Sequence, residues 1–296
     1  MPYSNTNKAA TSLSFTVCAE SDGVKLGTYL HRKMGVSQRI IRSAKLRNDG
    51  ITVDGIGART VDVLKVGQVV NILLPEPHCE IEPSGVALDI VYEDNHYILI
   101  NKPSGVPVHP TSCNHTSDTL ANGIVRYMKE QNDNYSVSIV NRLDKNTSGL
   151  VLVAKNAYAA DRAAKSAKKI YLAVCAGEIR SAGKIDLPID REEDSIIKRC
   201  VSENGQRAVT NYEPLKIFDG NTLLSITLET GRTHQIRVHL SHIGHPLLGD
   251  DLYGGLTDKI NRHALHCAEL SFFHPILDKE LCFKAVLPQD MASLIN

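Results

Sequence analysis

A nine-residue, mostly polar segment set between two apolar runs forms the stretch of this chain best suited to chemistry. Asn141-Arg142-Leu143-Asp144-Lys145-Asn146-Thr147-Ser148-Gly149 separates residues 137–140 from residues 150–153. An acid flanked by two bases is thus carried on a loop held by strands, the usual place for a site. An ionised aspartate there can act as a nucleophile or as a base. Taken alone, the segment is equally an ordinary turn whose carboxylate pairs with a neighbouring cation. Asn101-Lys102-Pro103-Ser104-Gly105-Val106-Pro107-Val108-His109-Pro110 reads by itself as a rigid Pro/Gly turn. Tyr171, within Lys169-Ile170-Tyr171-Leu172-Ala173, reads as a tyrosine of a half-buried strand. The longest polar segment is Thr230-Gly231-Arg232-Thr233-His234-Gln235-Ile236-Arg237-Val238-His239-Leu240. Thr233 is expected to cap a short helix with Ile236, Leu240 and Ile243 toward the core and Gly244 ending it, so Arg237 projects from a rigid element.

Other chemistries find little support. His239, His242 and His245 recur every three residues, but that spacing turns around a helix and Gly244 interrupts it, so no metal site is expected. Thr147-Ser148-Gly149 is not a G-x-S-x-G elbow, and neither a phosphate-binding Gly-Lys loop nor a dinucleotide fingerprint occurs.

The elements that must position these residues belong to an ordinary globular chain. Its 296 residues, 42% hydrophobic and 22% charged, fit a large domain with a small companion. No run approaches the roughly 20 apolar residues of a membrane span, and the polar start lacks a signal segment, so cytoplasmic residence is expected. Seven cysteines without a C-x-x-C pair do not make a disulfide framework. The 33 basic and 33 acidic side chains cancel, yet residues 1–75 hold 10 Lys/Arg against 5 Asp/Glu while residues 76–160 hold 6 against 10.

That basic first quarter is expected to begin with a flexible start over residues 1–12. Leu26, Leu30 and Met34 share one face of a helix ended by Gly35. Ser37 then caps a second helix to Leu46 whose outward positions carry Arg39, Arg42, Lys45 and Arg47. Short strands at 51–53 and 69–74 complete a module over residues 13–75, and prolines 75, 77 and 83 mark a linker over 76–85. Residues 86–296 hold strand-like runs at 90–92, 97–100, 137–140, 150–153, 171–174 and 223–228, with helices expected over 119–130 and 157–168. The expected class is α+β with a mixed, mainly antiparallel sheet.

The Asp144 loop and its continuation to Lys155 resemble the signature of RluA-like pseudouridine synthases. The loop at 101–110, the segment at 169–173 and the run from 230 to 250 resemble the other three motifs of that family, in family order. The module over about 24–75 resembles an S4-type RNA-binding domain, as in RluC/RluD-type enzymes. The resemblance implies that Asp144 is the catalytic carboxylate, kept ionised by Arg237, and that Tyr171 offers a planar face and a hydroxyl for proton removal from carbon 5. It implies that Arg142 fills the stack vacated by a flipped uridine. Arg39, Arg42, Lys45, Arg47, Arg232 and His234 would hold RNA, chiefly through phosphates. It further implies an RNA substrate, ribosomal before transfer RNA, no cofactor, no metal and no membrane, in a chain expected to be a monomer. Asn141 departs from the histidine that usually precedes Arg-Leu-Asp, and a local hydrogen bond to the loop is expected to survive. A non-catalytic RNA-binding or ribosome-assembly factor with the same fold is the rival reading. Asp144, Tyr171 and Arg237 together count against it.

Overall fold

The computed structural model describes residues 11–76, 80–110 and 118–295. The expected flexible start lies outside it for residues 1–10, as do linker residues 77–79 and the thiols Cys79 and Cys113. Ser12, assigned to that flexible start, instead opens a strand. Strands β1 (Ser12–Thr16), β2 (Ile51–Val53), β3 (Ile56–Gly57) and β4 (Val69–Leu73) pair antiparallel in the order β1-β4-β2-β3. Leu13 and Phe15 alternate inward from β1 and Val70 and Ile72 from β4, the period of two that a half-buried sheet requires.

Two helices cover this sheet. Helix α1 (Leu26–Thr28) runs into a single π turn over Tyr29–Lys33, closed by Met34 N–H donating to Tyr29 O at 3.0 Å. Leu26 and Leu30 are buried, and Gly35 at φ +69° turns the chain out of the helix. Ser37 Oγ accepts the Ile40 N–H at the start of α2 (Gln38–Lys45), which buries Ile40, Ile41 and Ala44. Arg39, Arg42 and Lys45 are exposed on its other side. Arg47 differs from them. It is half-buried, donates to Leu74 O at 2.7 Å and lies 3.5 Å from Glu76, so its guanidinium closes the end of the module.

A second sheet spans the rest of the chain. Its strands are β5 (Ile90–Glu93), β6 (Tyr97–Lys102), β7 (Ser138–Ile139), β8 (Ser148–Ala154), β9 (Lys168–Ala176) and β10 (Gly183–Asp186). After a separate hairpin of β11 (Ile189–Arg191) and β12 (Arg199–Val201) come β13 (Val209–Phe218), β14 (Asn221–Leu228), β15 (Leu265–His274) and β16 (Lys279–Lys284). The order is β10-β13-β14-β9-β15-β8-β6-β5, with β16 on β15 and β7 on β8. The class is α+β as expected, mainly antiparallel, and mixed through the parallel pairing of β15 with β8.

Helices α3 (Leu120–Glu130) and α4 (Ala157–Ser166) bury Leu120, Ile124, Val125, Ala159 and Ala163 in the main core with the wholly buried β8. Thr119 and Asn122 cap α3 reciprocally, and Asn156 caps α4. Helix α4 also holds the N-terminal module. Tyr158 sits in the module's core, edge-on to Phe15, and donates its hydroxyl proton to Met34 O at 2.9 Å. Helix α5 (Gln235–His242) sends Ile236 and Leu240 into the main core, while Ile243 beyond it is half-buried. The expected Thr233 cap is absent. His234, with left-handed backbone at φ +58°, occupies the N-cap, and no side chain caps the helix there. Helix α6 (Gln289–Ile295) buries Met291 against a smaller core that includes Leu248 and Ala264.

Candidate active site

The parallel junction explains where the polar loop ends up. Register aligns Lys102 with Gly149 across β6 and β8, Gly149 with Cys267 across β8 and β15, and Cys267 with Tyr171 across β15 and β9. The Asp144 loop enters β8 at Ser148, next to this row. Gly149 is required for that entry: its φ is +109°, and a Cβ there would lie 2.3 Å from Cys267 O.

Asn141 sets the loop's base. Its side-chain amide donates to Leu150 O (3.0 Å) and accepts from Leu152 N–H (2.8 Å), spanning the hairpin as a backbone pair would. Thr147 N–H closes the loop onto Asp144 O at 3.1 Å. The far side is held by two buried cations. Lys102 donates to Pro103 O, Val106 O and Lys145 O at 2.8–3.0 Å. Burial pulls this lysine down to about 7 while Asp144 draws it up and Arg262 opposes, but three carbonyl acceptors use every proton of an ammonium, so we assign it charged. Arg262, in a bidentate pair with Asp290 of α6, donates to Asn146 O at 3.2 Å. His263 Nε2 and Thr147 Oγ1 lie 2.8 Å apart. Burial first, then neighbouring guanidinium groups, push that imidazole down to about 2, so it is neutral.

The Asp144 carboxylate is held at the mouth of this frame, its side chain 26% exposed. Arg237 Nη1 lies 3.3 Å from Asp144 Oδ2, and His234 Nε2 lies 3.9 Å from the same oxygen. Arg237 is itself fixed. Its Nε and Nη2 donate to the two oxygens of the fully buried Asp250 at 2.7 Å each, and the Tyr253 ring lies under its guanidinium at 4.9 Å. A bidentate carboxylate plus an aromatic plane fixes the fork's orientation. The remaining terminal nitrogen addresses Asp144.

Tyr171 lines the same place from β9 and is 6% exposed. Burial foremost, then Cys267 and the negative charge of Asp144, raise its pKa well above the usual tyrosine value. Its hydroxyl bonds Cys267, whose thiol burial pushes up to about 12. A phenol so placed stays protonated, so it can offer a face to a base while proton removal by a phenolate is disfavoured.

The structure therefore brings Asp144, Tyr171, Arg237 and His234 together. Arg142 and Arg232 are exposed, the latter donating from Nε to Arg207 O at 3.1 Å. Arg39, Arg42 and Lys45 stand on the separate N-terminal module. His239 is wholly buried, with both ring nitrogens 2.9 Å from Thr210 Oγ1 and Leu187 O, which makes it a strut of the fold.

Reading residues by type missed the supports. Gln235 accepts from Arg232 N–H and Thr230 Oγ1–H and donates to Val209 O, shaping the loop before α5. Asp250 closed the run from 230 to 250, and Arg262 and His263 shortly precede β15. Those positions were the available signals.

Residues 96–242 match the sequence profile described as RNA pseudouridylate synthase. The uncharacterized RNA pseudouridine synthase YjbO of Bacillus subtilis is 41% identical over 274 residues, covering 89% of this chain and 96% of its own. Ribosomal large subunit pseudouridine synthase D of Escherichia coli K12 is 40% identical over 240 residues, 75% of this chain and 73% of its own. Among solved structures, human RNA pseudouridylate synthase domain containing 1 superposes with a TM-score of 0.55 at 27% identity, covering 72% of this chain and 96% of that one. This chain belongs to the RNA pseudouridylate synthase family, as an RluA-like member. It is an isomerase that converts uridine to pseudouridine in RNA.

Proposed function

We propose that this enzyme isomerises particular uridines of large-subunit ribosomal RNA, with Asp144 as the catalytic carboxylate. One observation carries the choice of residue: among the described residues it is the partly exposed carboxylate that a fixed arginine addresses, beside a buried aromatic ring. The choice of RNA is supported by relatives named ribosomal large subunit pseudouridine synthase D in Yersinia pestis and Escherichia coli. The reaction detaches uracil from its ribose, turns the base and rejoins it through carbon 5, so one ionised carboxylate can suffice without redox or nucleotide energy. A stacked uridine cannot reach this carboxylate, so the base is flipped or presented in a loop. Exposed Arg142, two residues from Asp144, fills the space left behind, and Tyr171 gives the extruded base its planar wall.

No helix among the described residues is long and apolar enough to cross a membrane. In this reading the enzyme works on ribosomal RNA in the cytoplasm as a monomer. Mapping pseudouridines across total RNA with and without the gene tests the substrate. Sites in large-subunit RNA should vanish on deletion and return with the wild-type gene. Loss confined to transfer RNA would refute the ribosomal assignment.

The module over residues 13–75 serves, in this reading, as an S4-like RNA-binding domain. Arg39, Arg42 and Lys45 form its exposed basic face, and Arg47, engaged with Leu74 O, contributes mainly to the fold. Changing the three exposed residues to Ala should weaken RNA binding and lower the slope of log affinity against log salt by about 1 per lost phosphate contact. Turnover of a short RNA fragment should persist. Binding isotherms from low to moderate salt check this, and an unchanged slope would give the module another role.

A further inference from the structure

The two basic side chains nearest Asp144 both address one carboxylate oxygen. Arg237 Nη1 is 3.3 Å and His234 Nε2 3.9 Å from Oδ2. His234 also sits at φ +58° and ψ +16°, a left-handed conformation disfavoured for a residue with a Cβ. Such strain gathers where a side chain must be aimed.

The proton on the imidazole can be placed. Tyr253 Oη accepts the Arg199 N–H at 2.9 Å, and its own proton is then available for His234 Nδ1, also at 2.9 Å. We assign Nδ1 as the acceptor of that proton, which puts the ring proton on Nε2, the nitrogen facing Asp144. The ring stands edge-on to Tyr253, with centroids 5.7 Å apart. Burial foremost, against the pull of Asp144 and with Arg237 opposing protonation, lowers the His234 pKa from its ordinary value, which favours the neutral ring at neutral pH. The His234 side chain is 11% exposed.

We propose that His234 is a positioning residue whose Nε2–H, together with Arg237, clamps Oδ2 of Asp144 and leaves Oδ1 as the oxygen that meets the uridine. Tyr253, tethered to β12 through Arg199, sets the tautomer that makes this possible. The 3.9 Å separation exceeds a hydrogen bond, and contacts of this kind close when substrate fills a site. The assignment rests on Asp144 as the catalytic carboxylate.

The test measures single-turnover rate and RNA dissociation constant separately for His234→Ala, His234→Gln, Tyr253→Phe and Asp144→Asn. His234→Ala should slow the step at saturating RNA by roughly tenfold or more with little change in affinity. His234→Gln, which keeps an N–H at similar reach, should recover much of that rate. In Tyr253→Phe, nitrogen NMR of labelled histidine should show protonation at Nδ1 gaining population as the rate falls. This readout and the Gln variant stand even where Ala perturbs folding. A normal rate in His234→Ala and His234→Gln beside an inactive Asp144→Asn would overturn the role of His234 alone. Weaker RNA binding with an unchanged saturated rate would make it an RNA contact instead. An active Asp144→Asn would remove the reading beneath it.

Discussion

Replacing Asp144 with Asn is expected to abolish uridine isomerisation while leaving the fold and RNA affinity nearly intact. The substitution keeps size and shape but removes the charge that would attack or accept a proton. Loss of an essential group of this kind costs roughly 10⁴-fold or more in turnover. The fold should tolerate it because Asp144 is only one of two carboxylates on Arg237. Asp250 keeps its two 2.7 Å bonds and still neutralises the guanidinium. The Asp144 side chain is also partly exposed, so the lost contact should cost at most about 1 kcal/mol. Product formation on a uridine-containing RNA fragment, read beside a melting curve and a binding isotherm, checks all three parts. Retained product formation would refute Asp144 as the catalytic residue.

The carboxylate and its immediate partners were legible because four segments resemble a family's motifs in order, although each alone reads as an ordinary turn, strand or short helix. A polar loop between apolar runs, a tyrosine in a strand and an arginine on a short helix can each be located from a one-dimensional pattern. The frame was less legible because it is made of long-range contacts. Nothing near Lys102 in sequence announces that its ammonium will cap Lys145 O, 43 residues away, nor that Arg262 will reach Asn146 O across 116. The parallel meeting of β8 and β15, which creates the row Lys102-Gly149-Cys267-Tyr171, is likewise a tertiary choice. Strand β1 is a different case. Leu13, Phe15 and Val17 alternate with polar residues in plain period two, and the polar start beside them masked it. His234 illustrates a third limit. Thr233 is the better cap by residue type, but the bonds of Gln235 to Thr230 and Arg232 shape the turn and leave the histidine at the N-cap.

The same frame makes Asp250 the most consequential support. Its carboxylate is fully buried and holds Arg237, itself buried, by two short bonds. Asp250→Ala would strand a guanidinium whose remaining acidic partner, Asp144, is 3.3 Å away and reached by a single nitrogen. Breaking one side of such a buried pair costs about 3–5 kcal/mol, which for a domain of this size lowers Tm by roughly 6–20 °C. Activity should fall as well, since Arg237 would be free to swing toward Asp144 and engage both of its oxygens. A double replacement separates the two effects. Changing Arg237 to Met and Asp250 to Leu removes both charges and fills the space beneath the Tyr253 ring with apolar atoms. Stability should largely return, because a buried ion pair contributes little beyond an apolar equivalent. Isomerisation should not return, because Asp144 would then lack its guanidinium. Thermal melts and single-turnover assays on the single and double variants decide the matter. A double variant that regains activity would reduce Arg237 to a structural strut, and an Asp250→Ala protein melting with the wild type would show that Arg237 is anchored elsewhere.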